Sequence, residues 1–584
     1  MTLALTGHAV ARGITIGRTH LSERNELEIG EYRIKQSDVD NEIKRFRQAV
    51  EDAREQLNRL AEQVTKTSGI PAGEIIHTHV MMLGDPNIRR DTEDHIREQL
   101  CNAEWALQIQ LEHILSEFRN MDDEYIRSRG EDVIQVVRLI QSKLNAEASD
   151  KPFENIPDRL AETLVIASEL TPGELAILHE RGVAGIVTEH GGPNSHTAIL
   201  ANSLGIPTVL GVRRAQNLLR EGETLILDGH LGVVYADPDE AILEHYHQVQ
   251  RDTRRFRQSL EKVRDQPCQS ADGTLISLHA NGERSEELQQ ALEMGASCIG
   301  LYRTEFLYLR GMAPDEEAQL AEYSAAVAML KGTPLTVRTL DLGADKTSGP
   351  IDFSQLPRSA NPALGLRAVR LCLRDTDLFK TQLRAILRAS ANGPVKCLIP
   401  MLTNVREVQM VRSLLAESME ELHKKGQKFD PDLPLGGMIE VPAAALAIED
   451  FSRHLDFLSV GTNDLLQYSL AADRGDEQVA HLHDVQHPGI VRLLQYIFQS
   501  ASSSKISVSV CGEMAGDRRY TRLLLALGLR EFSMQPGRLL EVKQIVIETH
   551  IPRARAALTH WLNNPSEQEK FSLLQLLDQS QQTH

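Results

Sequence analysis

Asp456-Phe457-Leu458-Ser459-Val460-Gly461-Thr462-Asn463-Asp464 is a short apolar run that reaches a glycine and then delivers two polar residues. A strand buried on both faces reads this way, with its polar chemistry held back for the end of the run. Seven other stretches share the texture: Ser277–Asn281, Cys298–Glu305, Leu335–Asp341, Val395–Met401, Leu435–Val441, Ser507–Glu513 and Glu531–Met534. Helical texture fills the intervals, so residues 267–552 are predicted to form a (β/α)8 barrel of the TIM type. Asn281, Arg303, Arg338, Asp341, Glu440, Asn463, Asp464, Cys511 and Glu513 all fall at or just past strand ends, the rim on which such barrels carry their sites.

Charge sorts these residues into tasks. Arg303, Arg338, Lys346 and Arg474 can hold a phosphate and a carboxylate, because the guanidinium fork matches both. Glu440 and Asp464 suit a hard cation such as Mg²⁺, which takes few carboxylates and completes its shell with substrate oxygens. Cys511, inside Val510-Cys511-Gly512-Glu513, can give or take a proton if its pKa lies near neutrality. The ligand implied is small, strongly anionic, phosphorylated and carboxylated.

Upstream, Gly191-Gly192-Pro193-Asn194-Ser195-His196-Thr197-Ala198-Ile199-Leu200 reads as a glycine turn that hands His196 to the start of a helix. Asn194 or Ser195 can cap the free amides there, and the positive end of the helix favours an anion on or beside the imidazole. Strand texture at Glu162–Ala167, Gly185–Thr188, Thr208–Gly211, Thr224–Gly229 and Gly232–Tyr235 frames this turn. The predicted assembly is a small α/β domain made of residues 1–35 and 146–235. Between them, Val39, Ile43, Phe46, Val50, Ala53, Leu57, Leu60 and Val64 recur at steps of four and three, the face of a long amphipathic helix. Ser37 with Asp40 offers its start, and further helices are expected at 72–83, 87–117 and 122–145. Residues 36–145 thus form an inserted helical bundle whose outer face can meet another protein. Asp237-Pro238 opens a polar linker helix over 236–266, and residues 553–584 form a helical tail.

A chain of 584 residues with net charge −19 has room for several domains and is a poor partner for nucleic acid or an anionic membrane. No run is long enough to span a membrane, the N-terminus lacks a signal-peptide pattern, and the six cysteines have no paired spacing. A cytoplasmic enzyme without membrane insertion is expected.

These motifs together resemble enzyme I of the bacterial phosphotransferase system, the phosphoenolpyruvate-protein phosphotransferases. The resemblance runs through Gly191–Ala201, Gly300–Phe306, Val337–Asp341 with Gly343–Lys346, Asn361–Arg367, Gln382–Ala389, Gly461–Asp464 with Asp473–Gly475, and Val510–Glu513. In the bundle it includes Thr78–Leu83 and Met121–Ile126. It implies a swivelling phosphohistidine domain, an inserted bundle that binds the phosphocarrier protein HPr, and a barrel that binds phosphoenolpyruvate and forms a homodimer. By position, His196 takes the phosphoryl group and passes it to HPr or an HPr-like protein. Arg303, Arg338 and Lys346 surround that group, Arg474 and the Asn463 region anchor the substrate, Glu440 and Asp464 ligate Mg²⁺, and Cys511 protonates the departing enolate. Pyruvate phosphate dikinase and phosphoenolpyruvate synthase share the histidine turn and barrel but need a nucleotide-binding domain, and no P-loop motif occurs in this chain. The chain departs from the pattern at Pro193-Asn194, where a basic or hydroxyl residue is usual, at Asn202, where an arginine is usual, and at Gly84, where an acidic residue is common.

Overall fold

The computed structural model describes residues 2–22, 30–68, 79–119, 130–144, 160–192, 195–308, 314–342, 361–473, 476, 478–564 and 572–582. They form two compact units, 1–254 and 255–584, and the division falls inside the helix Glu240–Val263.

The N-terminal unit is built on strands β1 (Leu3–Thr6), β2 (His8–Ala11), β3 (Ile14–Leu21), β4 (Thr163–Ala167), β5 (Gly185–Thr188), β6 (Thr208–Leu210), β7 (Thr224–Asp228) and β8 (Val233–Ala236). Their order in one sheet is β1-β8-β7-β3-β4-β5-β6-β2. The middle run β3-β4-β5-β6 is parallel, and antiparallel strands flank it on both sides. Three strands therefore come from the first residues, where one or two short ones were expected. Because β3 and β4 are hydrogen-bonded neighbours, the helices between them leave and rejoin the sheet at adjacent positions.

In those helices the periodic reading holds where side chains are described. Val39, Ile43, Phe46, Val50, Ala53 and Leu57 of helix Val39–Ser68 are all buried, while the side chains of Leu60 and Val64 lie outside the described residues. The helix does not begin on the expected cap: Ser37 sits in a 3₁₀ turn, and its hydroxyl donates to Asp38. Nor is 87–117 continuous. It is split into Pro86–Gln99 and Ala103–Arg119 at Leu100, which adopts a left-handed backbone (φ 51°). The break is fixed by Asn102, whose Oδ1 accepts from Tyr32 N while its Nδ2 donates to Gly30 O and Glu104. Of the segment expected at 72–83, residues 79–83 are helical and the rest lies outside the described residues, as does the start of 122–145, whose described helix is Gly130–Leu144. Downstream, Asp239 rather than Asp237 caps the linker helix, accepting from Ile242 N at 2.9 Å.

The C-terminal unit is a closed parallel barrel of β9 (Ser277–Gly282), β10 (Ile299–Tyr302), β11 (Leu335–Arg338), β12 (Val395–Ile399), β13 (Leu435–Ile439), β14 (Phe457–Val460), β15 (Ser507–Val510) and β16 (Glu531–Met534). Parallel pairing β16 to β9 closes the ring. All eight expected strands are present. Several end earlier than their apolar runs, because the chain turns at once into a helix; Asn463 and Asp464 lie in the first turn of helix Thr462–Leu470, not in β14. Ile551, Ala554, Leu558, Trp561, Leu573 and Leu577 from the last two described helices belong to the barrel's apolar core.

Candidate active site

His196 is the first residue of helix His196–Leu204, and Ser195 is its cap, with Oγ accepting from Ala198 N at 3.2 Å. Gly191 supplies the left-handed turn (φ 108°) before it. Pro193, Asn194 and the His196 side chain lie outside what the structure describes, and Asn202 is exposed. The turn is further held by Thr197, whose hydroxyl donates to Leu170 O at 2.9 Å.

At the C-terminal ends of the barrel strands, six of the eight candidates of the barrel are described: Arg303, Arg338, Glu440, Asn463, Asp464 and Cys511. Lys346 and Arg474 lie outside the described residues. Arg338 ends β11 and is held by two carboxylates, Glu305 at 3.0 Å and Asp341 at 3.0 Å. Arg367, just before helix Ala368–Arg374, reaches the other oxygen of Asp341 at 2.8 Å and Asp464 at 3.4 Å. Asp341 thus bridges two guanidinium groups, and both arginines are held firmly charged by these neighbours against the cost of burial. Arg303, more exposed, pairs with Glu283 at 2.5 Å.

Glu440 follows β13 directly, is 2% exposed, and accepts from Met401 N at 2.6 Å. Burial, then the charges of Asp341 and Asp464, push its carboxyl up to about 8, with Arg338 opposing. Beside burial, the charges are uneven: among the described residues Glu305, Asp341, Glu440 and Asp464 stand around Arg338 and Arg367. Such a surplus favours a cation, and two carboxylates from neighbouring strand ends match the sparse protein ligation of Mg²⁺. Among the described residues no group of three His, Cys, Asp or Glu side chains is arranged to ligate a metal by itself. Glu305 Oε2, Arg338 Nε and Thr462 Oγ1 are buried with no hydrogen-bond partner, which leaves donor and acceptor capacity at the rim.

Cys511, one residue past β15, is 3% exposed, and its Sγ donates to Val460 O at 3.6 Å. Burial pushes its thiol above the usual range, helped by Glu440 and opposed by Ser459, Arg338 and Arg303. The condition set for taking a proton, a pKa near neutrality, is not met, and the raised pKa favours the protonated thiol. Asn463 ties this strand end to the next, donating to Glu513 Oε1 at 3.1 Å and accepting from Glu513 N at 3.0 Å. The two loops meet at Gly512, where a Cβ would stand 2.0 Å from Thr462 Oγ1 and 2.8 Å from Thr462 N.

Sequence reasoning placed Arg338, Glu440, Asp464 and Cys511 at one rim and gave no task to Arg367, Glu305 or Tyr468. Arg367 and Glu305 stand inside the quoted stretches Asn361–Arg367 and Gly300–Phe306, so the signal was present without a role. Tyr468 gave no signal; its hydroxyl donates to Ala363 O at 2.7 Å and lies 3.3 Å from Arg367 Nη1.

Three family models match: PEP-utilising enzyme, N-terminal, over residues 6–129; PEP-utilising enzyme, mobile domain, over 160–232; and PEP-utilising enzyme, PEP-binding domain, over 257–551. The chain is 40% identical over 587 residues to the phosphoenolpyruvate-protein phosphotransferase of Cupriavidus necator, covering 99% of this chain and 100% of that one. It is 36% identical to that of Bacillus subtilis, covering 92% and 93%. A solved structure described as an NMR solution structure of Enzyme I (nEIt) aligns with 43% of this chain and 99% of its own at 31% identity, with a TM-score of 0.36. With near-complete coverage on both sides, the chain belongs to the phosphoenolpyruvate-protein phosphotransferase family.

Proposed function

We propose that this chain transfers the phosphoryl group of phosphoenolpyruvate to its own His196 and then to a histidine of HPr or an HPr-like protein, the first step of sugar phosphotransferase transport or regulation. The observation that carries this reading is a buried, protonated thiol, Cys511, on the same rim as a charged cradle of Arg338, Arg367, Glu440 and Asp464. A phosphorylated carboxylate needs that cradle, and an enolate leaving group needs that proton.

An imidazole nitrogen of His196 attacks phosphorus as the bond to the enolate oxygen breaks. The electron pair stays with the enolate, whose methylene carbon takes the proton of Cys511 Sγ, and pyruvate leaves. Arg303, Arg338 and Lys346 neutralise the phosphoryl oxygens, and Arg474 and Asn463 anchor the substrate. Most of the acceleration of phosphoryl transfer comes from positioning and charge compensation, the tasks these side chains perform. Glu440 and Asp464 would hold Mg²⁺, which when bound supplies further positive charge at the substrate oxygens.

The helices between β3 and β4 are the proposed docking surface for the carrier, with the sheet around His196 as the swivelling phosphohistidine domain. A homodimer through the barrel is supported by exposed apolar side chains there, Leu446 at 61%, Leu482 at 48% and Tyr496 at 40%. A cytoplasmic location is supported by six free cysteines, and no described helix is long and apolar enough to cross a membrane. The test is a chase: protein labelled from phosphorus-labelled phosphoenolpyruvate should lose its label to added HPr and regain substrate when given pyruvate. Label that stays on the protein in both chases would overturn the relay.

A further inference from the structure

Away from the rim, segments that precede strands frame a groove of about 730 Å³ in the C-terminal unit. Asp272 and Thr274 line it from the turn before β9, Arg530 from the residue before β16, and Arg555, Thr559 and Asn563 from helix Ile551–Asn563. It therefore opens at the N-terminal ends of the strands, the opposite end of the barrel from Cys511. Its volume is in the range of small-molecule sites.

Two features of this groove point to an anionic ligand. Several other arginines of this unit close on carboxylates: Arg384 on Glu316 and Glu421, Arg388 on Glu316 and Glu317, Arg522 on Asp578. Arg530 and Arg555 have no ion-pair partner among the described residues. Arg530 spends one terminal nitrogen on Leu525 O and Leu529 O, Arg555 its Nε on Ala526 O, and the remaining donors of both forks are left over. The two guanidinium groups are also near enough to repel: burial first and Arg555 second lower the pKa of Arg530, opposed by Asp272. Asp272 does not answer this charge by contact, because its oxygens already accept from Ile551 N at 2.8 Å, Ser270 Oγ at 3.1 Å and Thr274 Oγ1 at 2.8 Å. Two adjacent guanidinium groups with unspent donors and no contacting counter-charge, one half-buried and one exposed, present a place where an oxyanion can dock.

We infer that this groove binds a small metabolite carrying two negative charges on oxygen, clasped between Arg530 and Arg555, with the Asn563 amide as a neutral donor. Phosphate monoesters and dicarboxylates share that chemistry. The site is separate from the rim, and the inference does not depend on the relay proposed there.

Calorimetric titration of the full chain with inorganic phosphate and, separately, with succinate tests it. Arg555 is exposed, so Arg555→Glu is expected to fold and to leave His196 labelling unchanged while weakening the bound probe about tenfold or more. Arg553→Glu, an exposed charge change on the same helix outside the groove, should bind as the parent does. Binding of phosphate alone would assign the monoester class, and of succinate alone the dicarboxylate class. No binding of either probe at millimolar concentration would overturn the inference. So would parental affinity in Arg555→Glu, or equal weakening in Arg553→Glu.

Discussion

Gly512→Ala probes how tightly the rim is set. Gly512 has φ −75°, a backbone that alanine adopts freely, so the substitution acts through space alone. The added carbon would meet Thr462 Oγ1 at 2.0 Å, Thr462 N at 2.8 Å and Asn463 Oδ1 at 3.1 Å. Contact distances of carbon with oxygen or nitrogen are about 3.5 Å, so the loops must part by roughly an ångström. Overpacking of this kind costs about 1–3 kcal/mol, a fall of a few degrees in melting temperature. The displacement separates Asp464, in the helix begun by Thr462, from Cys511, beside the substituted residue, and a misplacement of about 1 Å can cost about 10²-fold in rate. Rapid-quench labelling of His196 from phosphoenolpyruvate, beside a melting curve, measures both effects. Gly537→Ala is the control, since nothing stands within 4 Å of its added carbon. Parental rate and melting temperature in Gly512→Ala would refute the packing argument and the claim that these two strand ends are set by mutual contact.

Arg338→Met leaves Glu305 and Asp341 buried without their shared counter-charge, and should lower stability by about 3–5 kcal/mol in urea unfolding of the C-terminal unit's transition. Cys511→Ser replaces the thiol with a far weaker acid; pyruvate release followed with a coupled dehydrogenase should slow about 10²–10⁴-fold without loss of fold. Ser195→Ala removes the cap bond to Ala198 N and should destabilise the His196 helix by about 1 kcal/mol, read as faster amide exchange over residues 196–204. In the bundle, Arg45 holds Glu104 ionised at 2.7 Å, lowering its pKa below the ordinary 4.5 against burial. A depressed carboxylate stabilises the fold above its unfolded pKa and ceases to do so as pH falls through its folded pKa. Acid melting of the N-terminal unit should therefore begin below about pH 4.5, and Glu104→Gln should flatten that limb of the curve.

The barrel was legible because strands buried on both faces read as uninterrupted apolar runs, and because each run ended on a residue too polar for the core. Their ends were less so: the run from Asp456 to Asp464 looks continuous, yet the chain leaves β14 after Val460 to start a helix. The charges on Arg338 and Glu440 could be assigned tasks from position alone, but not the bridge through Asp341 to Arg367, 26 residues apart in sequence and joined only by the closed barrel. Similarly, no propensity marks Leu100 for a left-handed turn; Asn102 and its long-range bonds to residues 30 and 32 impose it. The cysteine was found by its motif, while its protonation state followed from burial, which a sequence does not print.

The central claim is that phosphoryl groups enter at His196. Purified protein incubated with Mg²⁺ and phosphorus-labelled phosphoenolpyruvate should acquire acid-labile label, and His196→Ala should acquire none while keeping the parental melting curve. Label that persists on the folded variant, or a parent that takes up no label, would contradict the account.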